Sequence, residues 1–212
     1  MTEEELSFIL DIIHKTRFRG KHIEIGTAAG GTLVRMMKVF KAHERPTFIV
    51  VDPMTYFEDQ LNIVKKNLQD NGLSASEVDF RIKKSSEAFL EASQDGESFE
   101  FIFIDASHKV HRITEDLRWT RLLKKGGIVC IHDYDYNSSK GVTLAVNRFL
   151  RKNPNFVKIG CIQTLMALHK THESLRREIS FVDRFWSRIL APLMQAETSL
   201  KKRFKKHRKR TS

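Results

Sequence analysis

Between residues 22 and 152 the chain repeats one pattern five times: a short, nearly continuous apolar run, then a longer stretch of helical period. The runs are HIEIG (22–26), TFIVVD (47–52), VDFRI (78–82), FEFIFID (99–105) and GIVCIHD (127–133). Helical periods cover 30–41, 57–71, 86–93, 112–123 and 140–151. Strands that are apolar on both sides need helices over both faces, and helical crossovers make such strands parallel. An amphipathic helix over 3–16, with Leu6, Ile9, Leu10 and Ile13 on one face, precedes the pattern. Two further strands, NFVKIG (155–160) and QTLMALH (163–169), follow it. Only a short turn around Cys161 separates them, so they are predicted to run antiparallel. The chain therefore reads as α/β, with five parallel strands and a terminal hairpin.

A length of 212 residues suits one domain with appended material, and 41% hydrophobic with 30% charged residues is a globular balance. No apolar run approaches the ~18 residues that span a bilayer. The opening MTEEELSF is acidic where a secretion signal is basic, and Cys130 and Cys161 fit no disulfide or zinc spacing. The expectation is a cytoplasmic protein with reduced thiols. The formal charge of +11 points to a nucleic-acid binder until it is located: KKRFKKHRKR (201–210) holds eight Lys/Arg, and without them the rest carries +3. From about 171 the chain turns helical and basic, with Ile179, Val182, Phe185, Trp186, Ile189, Leu190 and Leu193 at helical spacing. Pro192 is expected to kink or end that helix. This gives a domain over 1–170, with an N-terminal helix within 1–19, and a helical, polybasic extension over 171–212.

The segment HIEIGTAAGGT turns from the first strand into the first crossover helix, a place where glycines let a ligand approach the backbone. Read as G-x-G-x-x-G, the register gives Gly26, Ala28 and Gly31, a degenerate dinucleotide fingerprint. Read as acidic-x-Gly-x-x-x-Gly, it gives Glu24, Gly26 and Gly30, the pattern of class I methyltransferases. Glu24 would repel a diphosphate and suits a ligand with a cationic amino-acid end. S-adenosylmethionine carries both an ammonium and a sulfonium. Asp52, at the end of the second strand, is placed to accept both ribose hydroxyls. Thr27 and Pro53 flank these residues, and Ser85 or Ser86 in KKSSEAF is expected against adenine. Asp52 as a helix cap, or either serine as an N-cap, is the plain alternative.

The reacting groups are expected beyond strands four and five. FIFIDASH places Asp105 at one strand end with His108 three residues on, and IHDYDY places His132 and Asp133 at the next. Neighbouring strands lie about 4.8 Å apart, so Asp105, His132 and Asp133 can converge on one divalent cation. Asp105 also borders the cofactor site. Tyr134, Tyr136 and Asn137 are expected to wall an acceptor pocket, while Asp116, Trp119 and the Gly126–Gly127 turn read as structural.

GTAAGGT, VVDP and IFIDASHKVHRITEDLRWTRLLKKGGIVCIHDYDY together resemble the metal-dependent class I O-methyltransferases grouped with macrocin- and mycinamicin-type sugar methyltransferases and cephalosporin hydroxylase-like enzymes. The resemblance covers roughly residues 20–170. It implies a Rossmann-like, doubly wound, seven-stranded sheet with S-adenosylmethionine as methyl donor. It also implies Asp105 and Asp133 as metal ligands with position 132 as the third, and His108 as general base. The family usually carries an acid at position 132; here His132 lowers the negative charge and shifts preference from magnesium toward manganese or another softer ion, which leaves the identity of the metal open.

The implied reaction methylates a hydroxyl of a sugar, polyol or other small acceptor, with a glycan or glycolipid in view. An RNA methyltransferase using the basic tail and a non-catalytic adenosylmethionine-binding module are the competing readings. The extension over 179–210 could pack on the core, form a homodimer, contact RNA or sit peripherally on an anionic membrane.

Overall fold

A computed structural model describes residues 1–134, 140–173 and 179–208, the side chains of 195–208 excepted. Helix α1 (Glu3–Thr16) leads into strand β1 (Lys21–Ile25) and helix α2 (Gly31–Met37). Then come β2 (Phe48–Val51), α3 (Gln60–Asp70), β3 (Val78–Arg81), α4 (Ser85–Gln94), β4 (Phe99–Ile104) and α5 (Val110–Asp116). The chain continues through β5 (Leu123–Ile131), α6 (Lys140–Lys152), β6 (Phe156–Ile162), β7 (Leu165–Lys170) and α7 (Phe181–Arg208). The seven strands form one sheet in the order β3-β2-β1-β4-β5-β7-β6. β1 to β5 are parallel; β7 runs antiparallel to β5, and β6 antiparallel to β7. This is the expected doubly wound, Rossmann-like fold with its closing hairpin. The strand order reverses between β1 and β4, which opens a crevice at their carboxyl ends.

Side chains alternate across a strand, and here the alternation divides the core in two. Ile25, Val51, Ile104 and Ile131 pack with α4, α5 and α6 on one face. Val50, Phe103 and Cys130 pack with α1, α2 and α3 on the other. Burying these runs on both sides removes the choice of a solvent face, so register is set by packing alone. Trp119 is fully buried, its ring edge-to-face with Phe89 and Phe99, which agrees with a structural role. Cys130 and Cys161 are free thiols.

Three expectations change. The helix read over 112–123 is α5 plus a tighter 3-10 turn over Leu117–Leu122. β5 begins at Leu123, and its pairing with β4 skips from Leu123 to Ile128 through Gly126, whose φ of 85° only glycine adopts easily. Helix α7 continues through Pro192 to Arg208. Proline removes the bond to the carbonyl of Arg188, but both residues are exposed, so water can satisfy that carbonyl. No helix among the described residues is long and apolar enough to cross a membrane.

Helix α7 is tied down at its start. Ser180 and Asp183 form a capping box, the Ser180 N–H donating to Asp183 Oδ2 at 3.0 Å and the Asp183 N–H to Ser180 Oγ at 3.3 Å. Asp183 also accepts from Arg148 Nε at 2.8 Å and Lys152 Nζ at 2.5 Å on α6. Burial alone would raise its pKa; the bonds from Lys152, Ser180 and Arg148 outweigh that and bring it from 3.8 down to about 2. A depressed native pKa means stabilisation that is present above the unfolded value and lost as pH falls through the native one. Asp183→Asn should therefore cost about 2 kcal/mol at neutral pH. In urea unfolding, the gap between variant and wild type should close as pH falls from about 4 to about 2.

Candidate active site

Strand register builds the site. Ile25 on β1 lies opposite Val51 on β2 and Ile104 on β4, and Ile104 lies opposite Ile131 on β5. The next residue on each strand is Gly26, Asp52, Asp105 or His132, so the four stand in one row. Backbone bonds carry the ladder into that row: Gly26 N–H to Val51 O at 2.9 Å, Asp105 N–H to Ile25 O at 2.9 Å, and His132 N–H to Ile104 O at 3.0 Å. Each follows a residue that faces α4–α6, so alternation aims Asp52, Asp105 and His132 toward the α1–α3 side.

On the β1–β2 side, Asp52 Oδ2 accepts from the Thr27 N–H at 2.9 Å and Oδ1 from the Met54 N–H at 2.6 Å. Gln60, buried at the start of α3, donates to the carbonyls of Thr27 (2.5 Å) and Ala28 (3.2 Å) and accepts from the Tyr56 N–H at 2.8 Å. One amide thus locks the glycine turn to the loop after β2. The glycines serve the protein's own packing. Gly26 has φ 85°, and a Cβ there would lie 2.5 Å from Ala106 Cα and 2.6 Å from the Asp105 carbonyl. Gly30 caps α2 at φ 81°, where a Cβ would meet Val64 at 2.9 Å. Within the chain, the approach that excludes a side chain is that of β4's loop at Gly26 and of α3 at Gly30.

A cavity of about 500 Å³ opens beside this turn, walled by Gly26, Asp52, Pro53, Ser85, Ser86 and Asp116 among others. Ser85 Oγ accepts from Trp119 Nε1 at 2.9 Å. Asp116, expected to be merely structural, belongs to the wall, and burial pushes its pKa from 3.8 to about 7 despite a bond from Ser85 and the charge of Arg112. Glu24, Thr27, Gly30 and Asp105 do not form this wall. Glu24 is buried, and its pKa is raised well above 4.5 by burial and by the charges of Asp105 and Asp52. Its Oε2 has no hydrogen-bond partner among the described residues. A buried acid with an open oxygen, crowded by two carboxylates, fits a cationic group brought in by a ligand.

On the β4–β5 side, His132 Nδ1 lies 3.1 Å from Asp105 Oδ1 and 3.5 Å from Asp133 Oδ2. Asp133 holds a left-handed φ of 59°, the kind of outlier that clusters at functional sites. His108 Nε2 is 2.5 Å from Asp133 Oδ2. On the far side of the ring, His132 Nε2 meets Glu5 Oε2 of α1 at 3.3 Å. Glu5 is fully engaged, with Thr2 N–H at 2.8 Å on Oε2 and Thr164 N–H (2.9 Å) and Oγ1 (2.7 Å) on Oε1. Burial alone would raise the Glu5 pKa, but these donors bring it to about 2. Burial likewise lowers that of His132, yet Asp105, Asp133 and Glu5 outweigh it and raise it to about 9.

Asp105, His132 and Asp133 offer ligand atoms that all lie within 4.8 Å of one another. Two carboxylates and an imidazole this close together could hold one divalent cation. Were Nδ1 to hold a cation, Glu5 at Nε2 would stand as the carboxylate partner of a metal-binding histidine. Tyr134 leans on the core and its hydroxyl donates to Asn147 Oδ1 at 2.9 Å. Tyr136 and Asn137 lie outside the described residues.

The row thus pairs a nucleoside-sized cavity with an acidic, imidazole-bearing cluster one strand away. A family model described as a methyltransferase domain matches residues 23–134, more than half the chain. The chain belongs to this family, the S-adenosylmethionine-dependent methyltransferases. Among solved structures, the O-methyltransferase TomG of Streptomyces achromogenes, which acts in tomaymycin synthesis and was solved with S-adenosylmethionine, is 15% identical. The match covers 80% of this chain and 81% of TomG with a TM-score of 0.62. CalS11, a TDP-rhamnose 3′-O-methyltransferase of calicheamicin biosynthesis, is 15% identical over 78% of each chain with a TM-score of 0.64. An O-methyltransferase of Bacillus cereus in complex with S-adenosylhomocysteine is 15% identical over 80% and 82%, with a TM-score of 0.62. At these identities the likeness is one of fold. Comparison with curated protein sequences gives no match.

Glu5 and Gln60 escaped the sequence reading. T-E-E-E at 2–5 is legible as a capping box, which α1 does form, but nothing local tells that its glutamate also grips a histidine on β5. Asp52→Asn keeps the size of the side chain, removes one charge and can accept only one of the two N–H bonds from Thr27 and Met54. It should weaken S-adenosylmethionine binding in calorimetry by ~10–100-fold, the worth of a charged hydrogen bond, and leave the affinity for manganese unchanged.

Proposed function

We propose that this enzyme methylates a hydroxyl group of a small-molecule acceptor, with a divalent cation held by Asp105, His132 and Asp133. The observation that carries the reading is the convergence of these three side chains one strand from the cofactor crevice. The donor set of two carboxylates and one imidazole favours manganese over magnesium. The sugar-nucleotide acceptor in the description of CalS11, and the O-methyltransferase descriptions of the other neighbours, support a hydroxylated acceptor such as a sugar or polyol. Residues 1–170 are taken as the catalytic domain and 171–212 as its extension. The closer grouping with macrocin- and mycinamicin-type enzymes belongs to this proposal.

S-adenosylmethionine supplies an electrophilic sulfonium methyl, which the pocket beside Gly26 and Asp52 would hold. Glu24 would take the ammonium end, gaining the cation its buried oxygen lacks. Pro53, Ser85 and Ser86 would bound the nucleoside. When bound, a divalent cation lowers the pKa of a hydroxyl beside it. His108 accepts the hydroxyl proton at Nδ1 while its Nε2–H stays on Asp133, so one dyad orients the base. A carboxylate has two oxygens, so Asp133 can hold His108 with one and a cation with the other. With the proton on His108, the acceptor oxygen would take the methyl that the cofactor supplies, the electron pair of the broken C–S bond staying on sulfur. Held geometry supplies much of the acceleration, up to ~7–11 kcal/mol in favourable intramolecular cases.

Chelator treatment of the wild type should abolish turnover, and manganese should restore it. Asp133→Asn keeps a residue that tolerates the left-handed backbone, yet it should lose manganese binding while S-adenosylmethionine still binds. Full turnover in the chelated wild type would end the metal reading. Glu5→Gln should lower manganese affinity in calorimetry by ~10–100-fold, the usual cost of losing an outer partner of a metal-binding histidine. It should leave S-adenosylmethionine affinity unchanged.

A further inference from the structure

We propose that the outer face of α7 docks on an anionic lipid bilayer, for which residues 201–210 supply eight Lys/Arg. Helix α7 has two apolar faces, which the spacing of its residues had read as one. The inner face, with Trp186, Leu190 and Met194, packs on the main core and is clamped by Asp183 to α6 and by Arg184, whose Nε lies 2.7 Å from Glu115, to α5. The outer face carries Phe181, Val182, Phe185, Ile189 and Leu193, which are 77, 61, 57, 52 and 63% exposed. Phe181, Phe185, Ile189 and Leu193 recur every four residues, a ridge that covers about 18 Å of helix. A ridge of this size left in water marks an interaction surface.

Charge decides what covers it. The same helix runs on to Arg208, and residues 201–210 hold eight Lys/Arg with no acid among them. An apolar stripe continued by clustered cations is how a helix lies in a membrane interface, the apolar side chains entering the acyl boundary and the cations meeting lipid phosphates. A second copy of α7 offers no matching charge. Asp183 is already held by Arg148 and Lys152, and Glu197 is the one other acid between 181 and 212. RNA would use the cations and stack on rings, but would leave Val182, Ile189 and Leu193 in water. A bilayer satisfies both halves of the helix. The docking is independent of the methyl-transfer chemistry, so either can fail without the other.

The test is sedimentation of the full chain with vesicles of phosphatidylcholine, with or without phosphatidylglycerol. Each Lys or Arg near an anionic surface adds roughly fivefold to partitioning, so binding should be at least ~10-fold stronger to the mixed vesicles and should weaken with salt. The double variant Phe185→Glu/Ile189→Glu alters exposed positions only, and should lose binding by at least ~10-fold while keeping its thermal midpoint and its turnover on a soluble acceptor. Equal binding of variant and wild type, or no binding to the mixed vesicles, overturns the proposal. So does a wild-type dimer that the double variant converts to a monomer, which would assign the ridge to self-association. RNA binding unaffected by the double variant, with no vesicle binding, would also overturn it.

Discussion

The row of residues just past the ends of β2, β1, β4 and β5 depends on one constraint: parallel strands buried on both faces allow a single register. A slip of one residue would exchange Ile104 with Asp105 and Ile131 with His132, placing acids among the helices of α4–α6. Because the register is fixed, Asp52, Asp105 and His132 stand side by side and share one direction. That shared direction explains their partners. Gln60 comes from α3 and Glu5 from α1, both on the α1–α3 layer toward which the row points.

Concentrating acids at half-buried strand ends has an electrostatic cost that the protein meets in three ways. Burial and the charges of Asp105 and Asp52 raise the pKa of Glu24. His132 sits between Asp105, Asp133 and Glu5 and is held charged, its pKa raised to about 9. Glu5 spreads its charge over four donors. Glu24 and the Asp105–His132–Asp133 group are each compensated only in part by the chain itself, and in the proposed reaction an ammonium would meet the first and a divalent ion the second.

The fold was legible because its signal is long-range and periodic: five apolar runs between helical stretches allow few other architectures, and the last two runs lie too close together for a crossover. The acids and histidines were legible because they stand at strand ends, where the pattern itself breaks. What escaped depends on distance in sequence. Glu5 lies 127 positions from His132, and no local pattern links them. Asp116 reads as a helix residue, and only the packing of α5 against α4 brings it to the cavity wall. The glycines were legible as a place of close backbone approach, and within the chain Gly26 and Gly30 also make room for Ala106 and Val64. Pro192 follows the same lesson: a breaker in sequence is tolerated where its helix face meets water.

The measurement that bears most directly on this geometry is nuclear relaxation of the methyl carbon of labelled S-adenosylmethionine in the presence of protein and manganese. If cofactor and cation occupy adjacent strand ends, as proposed, the methyl carbon should relax strongly, at a distance within about two strand spacings, ~10 Å. Tight binding of both ligands with no paramagnetic effect on the methyl would mean that they occupy separate sites, and the account of a single row would be wrong.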